Sequence, residues 1–397
     1  MKTYYDKDTQ RVPLMVWATD LDDGALQQLL NLSRMPYVFH HVAAMPDAHV
    51  GIGATIGSVF ASEYAVVPSA VGVDIGCGMC ALPTRHNVSD LPKARLFERA
   101  IETVFRAIPT GFAGHQKARS WKRKTQFGGF DYESQDAGLT NEIQKNAPKK
   151  LGSLGGGNHF IEFQREHDGT LWIMLHSGSR NVGKMIAQHW MKVAKKTTGG
   201  EGIPADLSYL DVNTREGRGY LSDMQWALAY ALENRLQMME TVFDVLTDVF
   251  PREAGMAFDA DINDLINIHH NYASEERHFG KMVWVHRKGA TLASEGTIGI
   301  IPGSMGTHSY IVRGQGSEES FRSCSHGAGR RMSRHDALKS ISRDDLDRAL
   351  GNVRLRAGSD VRDEAPQAYK SIDEVMENQK DLVDILVELS PLATVKG

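Results

Sequence analysis

The 397-residue sequence predicts an α+β fold: one large mixed domain over residues 1–397, with a β-rich core flanked by helices. Three observations carry this. Short apolar runs bounded by Gly and Pro read as strands. Longer stretches with apolar residues at helical spacing read as amphipathic helices. The two kinds do not alternate regularly, as a doubly wound sheet would require. Hydrophobic content of 41% and charged content of 24% suit a globular chain long enough to bury a large core.

The elements follow in order. Residues 37–43, 56–61, 65–67 and 70–75 are predicted strands separated by turns. Residues 90–107 are a predicted helix, with Asp90 as candidate cap and Phe97, Ala100, Ile101, Val104 and Phe105 along one face. Residues 109–150, polar and basic, read as a long loop region. Residues 158–163 and 170–176 are predicted strands joined by the turn Glu166-His167-Asp168-Gly169. Helices are predicted over 183–196 and 220–250, the second long and amphipathic. A short helix is expected before His269, strands with Gly-rich turns over 282–313, and helices over 326–351 and 371–389.

Composition narrows the function classes. No apolar run approaches the roughly 20 residues of a membrane span, and the N-terminus lacks a signal-peptide core. Three cysteines are too few for a disulfide scaffold and fit a reducing compartment, the cytoplasm. With a net charge of −4, nucleic acid would have to be met by local patches. Candidates are Lys117, Arg119, Trp121, Lys122, Arg123 and Lys124; then Lys145, Lys149 and Lys150; then Arg330, Arg331 and Arg334. Neither a P-loop nor a dinucleotide-binding Gly-x-Gly-x-x-Gly is present in a fitting context.

Chemistry-bearing residues occur as islands among small side chains. Asp74 and Cys77 lie in Val73-Asp74-Ile75-Gly76-Cys77-Gly78, a hard and a soft ligand three residues apart. Histidines recur beside Gly, Asn or Ser: Asn158-His159, His176-Ser177-Gly178-Ser179-Arg180, His269-His270-Asn271 and Ser325-His326-Gly327-Ala328-Gly329-Arg330. Together they suffice for one or two first-row transition metals, and a thiolate can bridge two; zinc fits as readily as manganese on ligand softness. The alternative is a turn Asp beside a buried thiol, with hydrogen-bonded strand-end histidines. His326, with glycines after it and a helix expected from Gly329-Arg330, could attack a phosphorus or merely cap that helix. Met45-Pro46-Asp47-Ala48-His49, Arg287-Lys288-Gly289-Ala290 and Pro302-Gly303-Ser304-Met305-Gly306 read as further turns lining a pocket.

Taken in order from about Trp17 to Val395-Lys396-Gly397, these islands resemble the RtcB family of RNA-splicing ligases, in particular its compact bacterial members. The resemblance implies a GTP- and Mn²⁺-dependent ligase with an RtcB-like fold. Such an enzyme joins RNA 3′-phosphate or 2′,3′-cyclic phosphate ends to 5′-hydroxyl ends, in tRNA splicing or RNA repair. Carried over by motif, Asp74, Cys77, His159, His176 and His270 would hold two Mn²⁺, bridged by Cys77. His326 would take GMP from GTP, and Arg180, Lys288 and Arg330 would contact phosphates. Asn158, His159, Phe160, Ile161, Glu162, His270, Asn271, Pro302, Gly303, Ser304, Met305, Ser309, His326, Gly327, Ala328, Gly329 and Lys396 match guanylate-binding positions, with Tyr369 placed to stack on guanine. The implied partners are RNA, tRNA among it, and GTP. No membrane is implied, and the chain would be a monomer, with a helper protein left open. Cys80 has no counterpart role, and RNA-end preference would be set in 109–150. Two other readings share the ligands: a two-metal phosphoesterase or nuclease, which needs no covalent histidine, and a non-catalytic RNA-end binder.

Overall fold

A computed structural model describes residues 1–123, 125–200, 202–356 and 360–397; Lys124 of the first basic run lies outside them. The architecture is mixed α+β, with two large sheets and helices packed on them. The first sheet has six strands, in the order Lys2–Tyr4, Leu14–Val16, Phe39–His49, Ile56–Ser62, Lys281–Lys288 and Asn271–His278. The second runs Ile266–His269, Gly78–Asn87, Thr170–Ser177, Phe160–Glu166, Val383–Lys396, Ser309–Gly314 and Ile298–Ile301, with Arg354–Leu355 alongside Val383–Lys396.

Strand alternation gives the second sheet two different faces. Ile161, Phe163, Leu171, Ile173 and Leu175 turn toward the helices Lys93–Ala107 and Arg215–Glu253, into a core that also holds Met238, Met239, Val242 and Leu246. Met79, Phe160, Trp172, Met174, Ile300, Ile311 and Leu389 pack on the other face. Cys80 belongs to the helix-side core, where burial pushes its thiol up to about 12. It is a core residue on the far side of the sheet from Met79.

Several predicted elements differ. Residues 70–75 are not a strand: Pro68–Val71 is one helical turn, begun at Pro68 where a missing N–H costs nothing. The 90–107 helix begins at Lys93 after Pro92, and Asp90 lies in a 3₁₀ turn rather than at the cap. Residues 109–150 are not all loop, for Ala137–Lys150 is a helix capped by the Asp136 carboxylate. A 3₁₀ turn Ile262–Asp264 and a strand, Ile266–His269, precede His270 where a helix was expected. In 326–351 the helices are Arg334–Ser340 and Arg343–Leu350, each capped by a serine, so Gly329-Arg330 begins no helix. Gly329 has φ +72°, and a Cβ there would stand 2.3 Å from the Asp47 carbonyl oxygen. In 371–389 only Ile372–Glu377 is helical; Val383–Lys396 is a 14-residue strand in the middle of the second sheet.

Part of the first basic run is tied down. Lys122 and Arg123 pair with Glu233 and Glu240 of the long helix, and Trp121 packs on Trp226 and Phe130. Met45–His49 is strand rather than turn, and Arg287 is fully buried in a strand, paired with Glu276. No helix among the described residues is long and apolar enough to cross a membrane.

Candidate active site

Antiparallel pairing gathers the predicted ligands. Gly78 pairs with both Ser177 and His269, and Phe160 pairs with His176. Cys77 therefore precedes one strand where His176 ends the next, His159 precedes the third, and His270 follows the fourth. Four residues far apart in sequence meet at one end of the sheet. His270 also sits where the second sheet passes into the first, between Ile266–His269 and Asn271–His278.

The donor atoms converge. The Cys77 Sγ lies 3.5 Å from His159 Nε2 and 3.3 Å from His176 Nε2. His176 Nε2 lies 3.4 Å from His270 Nε2, and His159 Nε2 3.4 Å from an Asp74 carboxylate oxygen. Donor atoms of Cys77, His159 and His176 all fall within 4.8 Å of one another. The outer nitrogens of two rings are spoken for: His159 Nδ1 donates to the Leu154 carbonyl at 2.9 Å and His176 Nδ1 to the Asn158 carbonyl at 3.0 Å. That fixes Nε2 of each as the lone pair facing inward, the usual orientation of metal-binding histidines.

Electrostatics point the same way. Burial, then the neighbouring histidines His159 and His326 respectively, holds His176 and His270 neutral, well below the ordinary imidazole range. Burial opposes ionisation of Asp74, yet the adjoining His159 and hydrogen bonds from Ser179 bring it to about 2. Burial and the Asp74 charge push the Cys77 thiol far up. A carboxylate, a thiol that only a cation would ionise, and inward-facing neutral imidazoles form a fitting donor set for a divalent transition metal.

Two braces from the long helix Arg215–Glu253 hold these loops. Asn234 accepts from the Gly152 and Ser153 amides and donates to the Ser153 and Gly178 carbonyls. Arg235, fully buried, donates to the Gly76 and Ser177 carbonyls. Gly178 leaves room for Asp74; a Cβ there would lie 2.2 Å from its carboxylate oxygen.

His326 stands beside this cluster, its ring 4.9 Å from that of His270. Its Nδ1 donates to Asp47 Oδ2 at 2.6 Å, and the same oxygen accepts from the His326 and Gly327 amides at 3.1 and 3.3 Å. Asp47 is fully buried; burial opposes its ionisation, but the adjoining His326 and the hydrogen bonds from its ring and backbone hold it below the usual carboxylate range. Sequence reasoning had Asp47 only as part of a pocket-lining turn, and missed Asn234 and Arg235. The only signal was that Glu233, Asn234 and Arg235 stand between apolar residues on both sides in the long helix.

Two cavities meet at His326. One, of about 300 Å³, is lined by Asn158, Phe160, Glu162, residues 302–305 and 326–330, Tyr369 and Lys396, together with His49, Arg334 and Glu364. The other, of about 480 Å³, is lined by Asp74, Cys77, His270, Asn271, Lys288 and Gly289 among others. Asn158 and His326 line both. Most predicted nucleotide positions thus share one cavity, while His270 and Asn271 face the second. Ile161, packed in the helix-side core, and His159, turned into the donor cluster, line neither cavity. Ser309 is buried beneath the cavity, where its hydroxyl accepts from the Gly303 amide and orders the 302–305 loop.

The predicted phosphate contacts are differently placed. Lys288 opens on the second cavity; burial pushes it down to about 7, and it donates to the Ile52 and Ala54 carbonyls. Arg180 donates to Ser153 Oγ and the Gly111 carbonyl, behind His159. Arg330 lines the first cavity but pairs with Glu364 and lies over the Tyr369 ring. Glu364, 3% exposed, also pairs with Arg334 and Lys396 and accepts from the Tyr369 hydroxyl. Burial raises Glu162 to about 7 against hydrogen bonds from Thr394 and Gln164.

Comparison with known proteins adds a finding of its own. A family model described as tRNA-splicing ligase RtcB matches residues 28–397. An RNA-splicing ligase RtcB of Escherichia coli K12 is 43% identical, covering 98% of this chain and 98% of that protein. A tRNA-splicing ligase RtcB of Thermococcus kodakarensis is 31% identical over 99% of this chain and 96% of its own. An RNA-splicing ligase RtcB of Mycobacterium tuberculosis is 31% identical over 93% of this chain and all of its own length.

Proposed function

The chain belongs to the RtcB family and is an RNA ligase, and from that premise we propose that it uses GTP and two Mn²⁺ to join RNA 3′-phosphate or 2′,3′-cyclic phosphate ends to 5′-hydroxyl ends. The observation that carries the reading is His326, held through Nδ1 by buried Asp47 at the meeting of two cavities, beside a convergent metal-donor cluster.

Donation of Nδ1–H to Asp47 leaves the lone pair on Nε2. In this reading Nε2 attacks the α-phosphorus of GTP, forming an N–P bond and releasing pyrophosphate. Asp47 stabilises the charge that the ring acquires, as a carboxylate does for a catalytic histidine. An RNA 3′-phosphate oxygen then displaces Nε2 and takes the GMP, and attack by the 5′-hydroxyl releases GMP and closes the phosphodiester. Asp74, Cys77, His159, His176 and His270 would hold the metals, which when bound supply charge neutralisation on the phosphate oxygens. Glu162 and Lys396 offer an acceptor and a donor to the guanine edge, and Tyr369 a ring face. Lys288 and the second cavity would receive RNA phosphate. Buried free thiols suit a reducing cytoplasm.

The test is a joining assay with purified chain, Mn²⁺ and GTP. The expected product from a 3′-phosphate RNA and a 5′-hydroxyl RNA is one joined strand, dependent on GTP. Loss of the terminal phosphate without joining would establish the phosphoesterase reading instead.

A further inference from the structure

Phe112 is fully exposed, the most exposed large apolar side chain among the described residues. An exposed Phe on a slack loop would mean little, but this loop is pinned. The Gly111 amide donates to the Gly155 carbonyl at 2.8 Å, and Thr110 bridges Gly155. Arg180 donates to the Gly111 carbonyl at 2.9 Å, and the Lys150 ammonium to the Phe112 carbonyl itself. Gly155 packs against the rings and guanidinium of the site: a Cβ there would lie 2.5 Å from His159 Nδ1 and 2.4 Å from Arg180. Gly155 is three residues from Asn158, which lines both cavities, and that is at most about 11 Å of chain.

The two stretches that frame the loop are rich in cations, while the C-terminal Gly397 lies beside Gly155 and Gly156. Residues 109–119 carry Lys117 and Arg119 and no carboxylate; residues 143–152 carry Lys145, Lys149 and Lys150 and none. Lys150 and Arg180 are close enough for Arg180 to help depress the Lys150 pKa, after partial burial. A bare ring on a fixed backbone, among cations, at the rim of a site that handles RNA ends, has the elements of a single-strand platform: phosphates meet cations and a base stacks on the ring.

We propose that Phe112 is a stacking platform for an unpaired base of the RNA strand entering the site, with Lys150 and its basic neighbours meeting that strand's phosphates. This rests on the ligase reading above, and the experiment separates the two. Guanylylation, RNA joining and thermal unfolding are measured for wild type, F112A and F112W. F112A should raise the KM for RNA roughly tenfold, the loss of one stacked base, with guanylylation rate and unfolding midpoint unchanged. F112W should restore the wild-type KM. Substrates abasic in the nucleotides next to the break should erase the difference between wild type and F112A. A wild-type KM in F112A, a failure of F112W to restore it, or a parallel loss of guanylylation would overturn the platform while leaving the ligase reading intact. A wild type that takes label from GTP yet joins no RNA would bring down both.

Discussion

At the scale of single residues, Asp47 decides what His326 can do. Its Oδ2 accepts three hydrogen bonds, two of them from the backbone that carries His326, so the ring is both oriented and held in one tautomer. Asp47→Asn keeps the shape but presents an amide to Nδ1, which favours the wrong tautomer. We predict that guanylylation slows by roughly 10²- to 10⁴-fold, with metal binding and the unfolding midpoint close to wild type. Equal loss of metal binding would mean that Asp47 is a scaffold residue. The ligand types were legible in the sequence because His, Cys and Asp stand among residues with tiny side chains. Asp47 was not, because a lone carboxylate in an apolar strand declares its partner only when the strand has folded.

At the scale of elements, the site is a product of antiparallel register. Strands that start and stop at one edge bring Cys77, His159, His176 and His270 together without any local motif. The long helix behind them fixes the loops through Asn234 and Arg235. Asn234→Leu would strip the Gly152 and Ser153 amides and the Gly178 carbonyl of their buried partner. The expected cost is at least about 2 kcal/mol, read by urea unfolding, with weaker Mn²⁺ binding by calorimetry. A stable variant with unchanged metal affinity would remove the helix from the account of the site. The strands at 158–163 and 170–176 and both long helices were legible, since period and length agree. Residues 383–396 were not. Their apolar residues fit either period, and Pro391 is tolerated in a strand because the register shifts there. The helix expected from Gly329 failed because that glycine adopts a left-handed conformation against Asp47.

At the scale of the whole molecule, the two sheets must stay in register with each other, since His270 lies on their junction and His326 packs against it. The first sheet is itself braced by an ion pair between two neighbouring strands. Arg287, fully buried, pairs with Glu276, which also accepts from His278, and donates to the Phe321 carbonyl. Burial opposes ionisation of Glu276, but Arg287 and its hydrogen bonds hold the carboxyl far below its usual range. A carboxyl depressed in the folded state stabilises above its unfolded pKa of about 4.5, and that stability is lost as pH falls toward the folded value. Glu276→Ala should therefore lose about 3 kcal/mol at neutral pH, by leaving Arg287 buried and unpaired. The wild-type chain should lose stability progressively below about pH 4.5. Thermal unfolding from pH 3 to 8 checks both; equal stability of the two chains at pH 7 would refute the role.

The central claim is that His326 becomes covalently guanylylated, and incubation with Mn²⁺ and α-labelled GTP tests it most directly. The wild type should acquire an acid-labile, alkali-stable label that a 3′-phosphate RNA then removes, and His326→Ala should acquire none. An unlabelled wild type, or a labelled His326→Ala, would contradict the account.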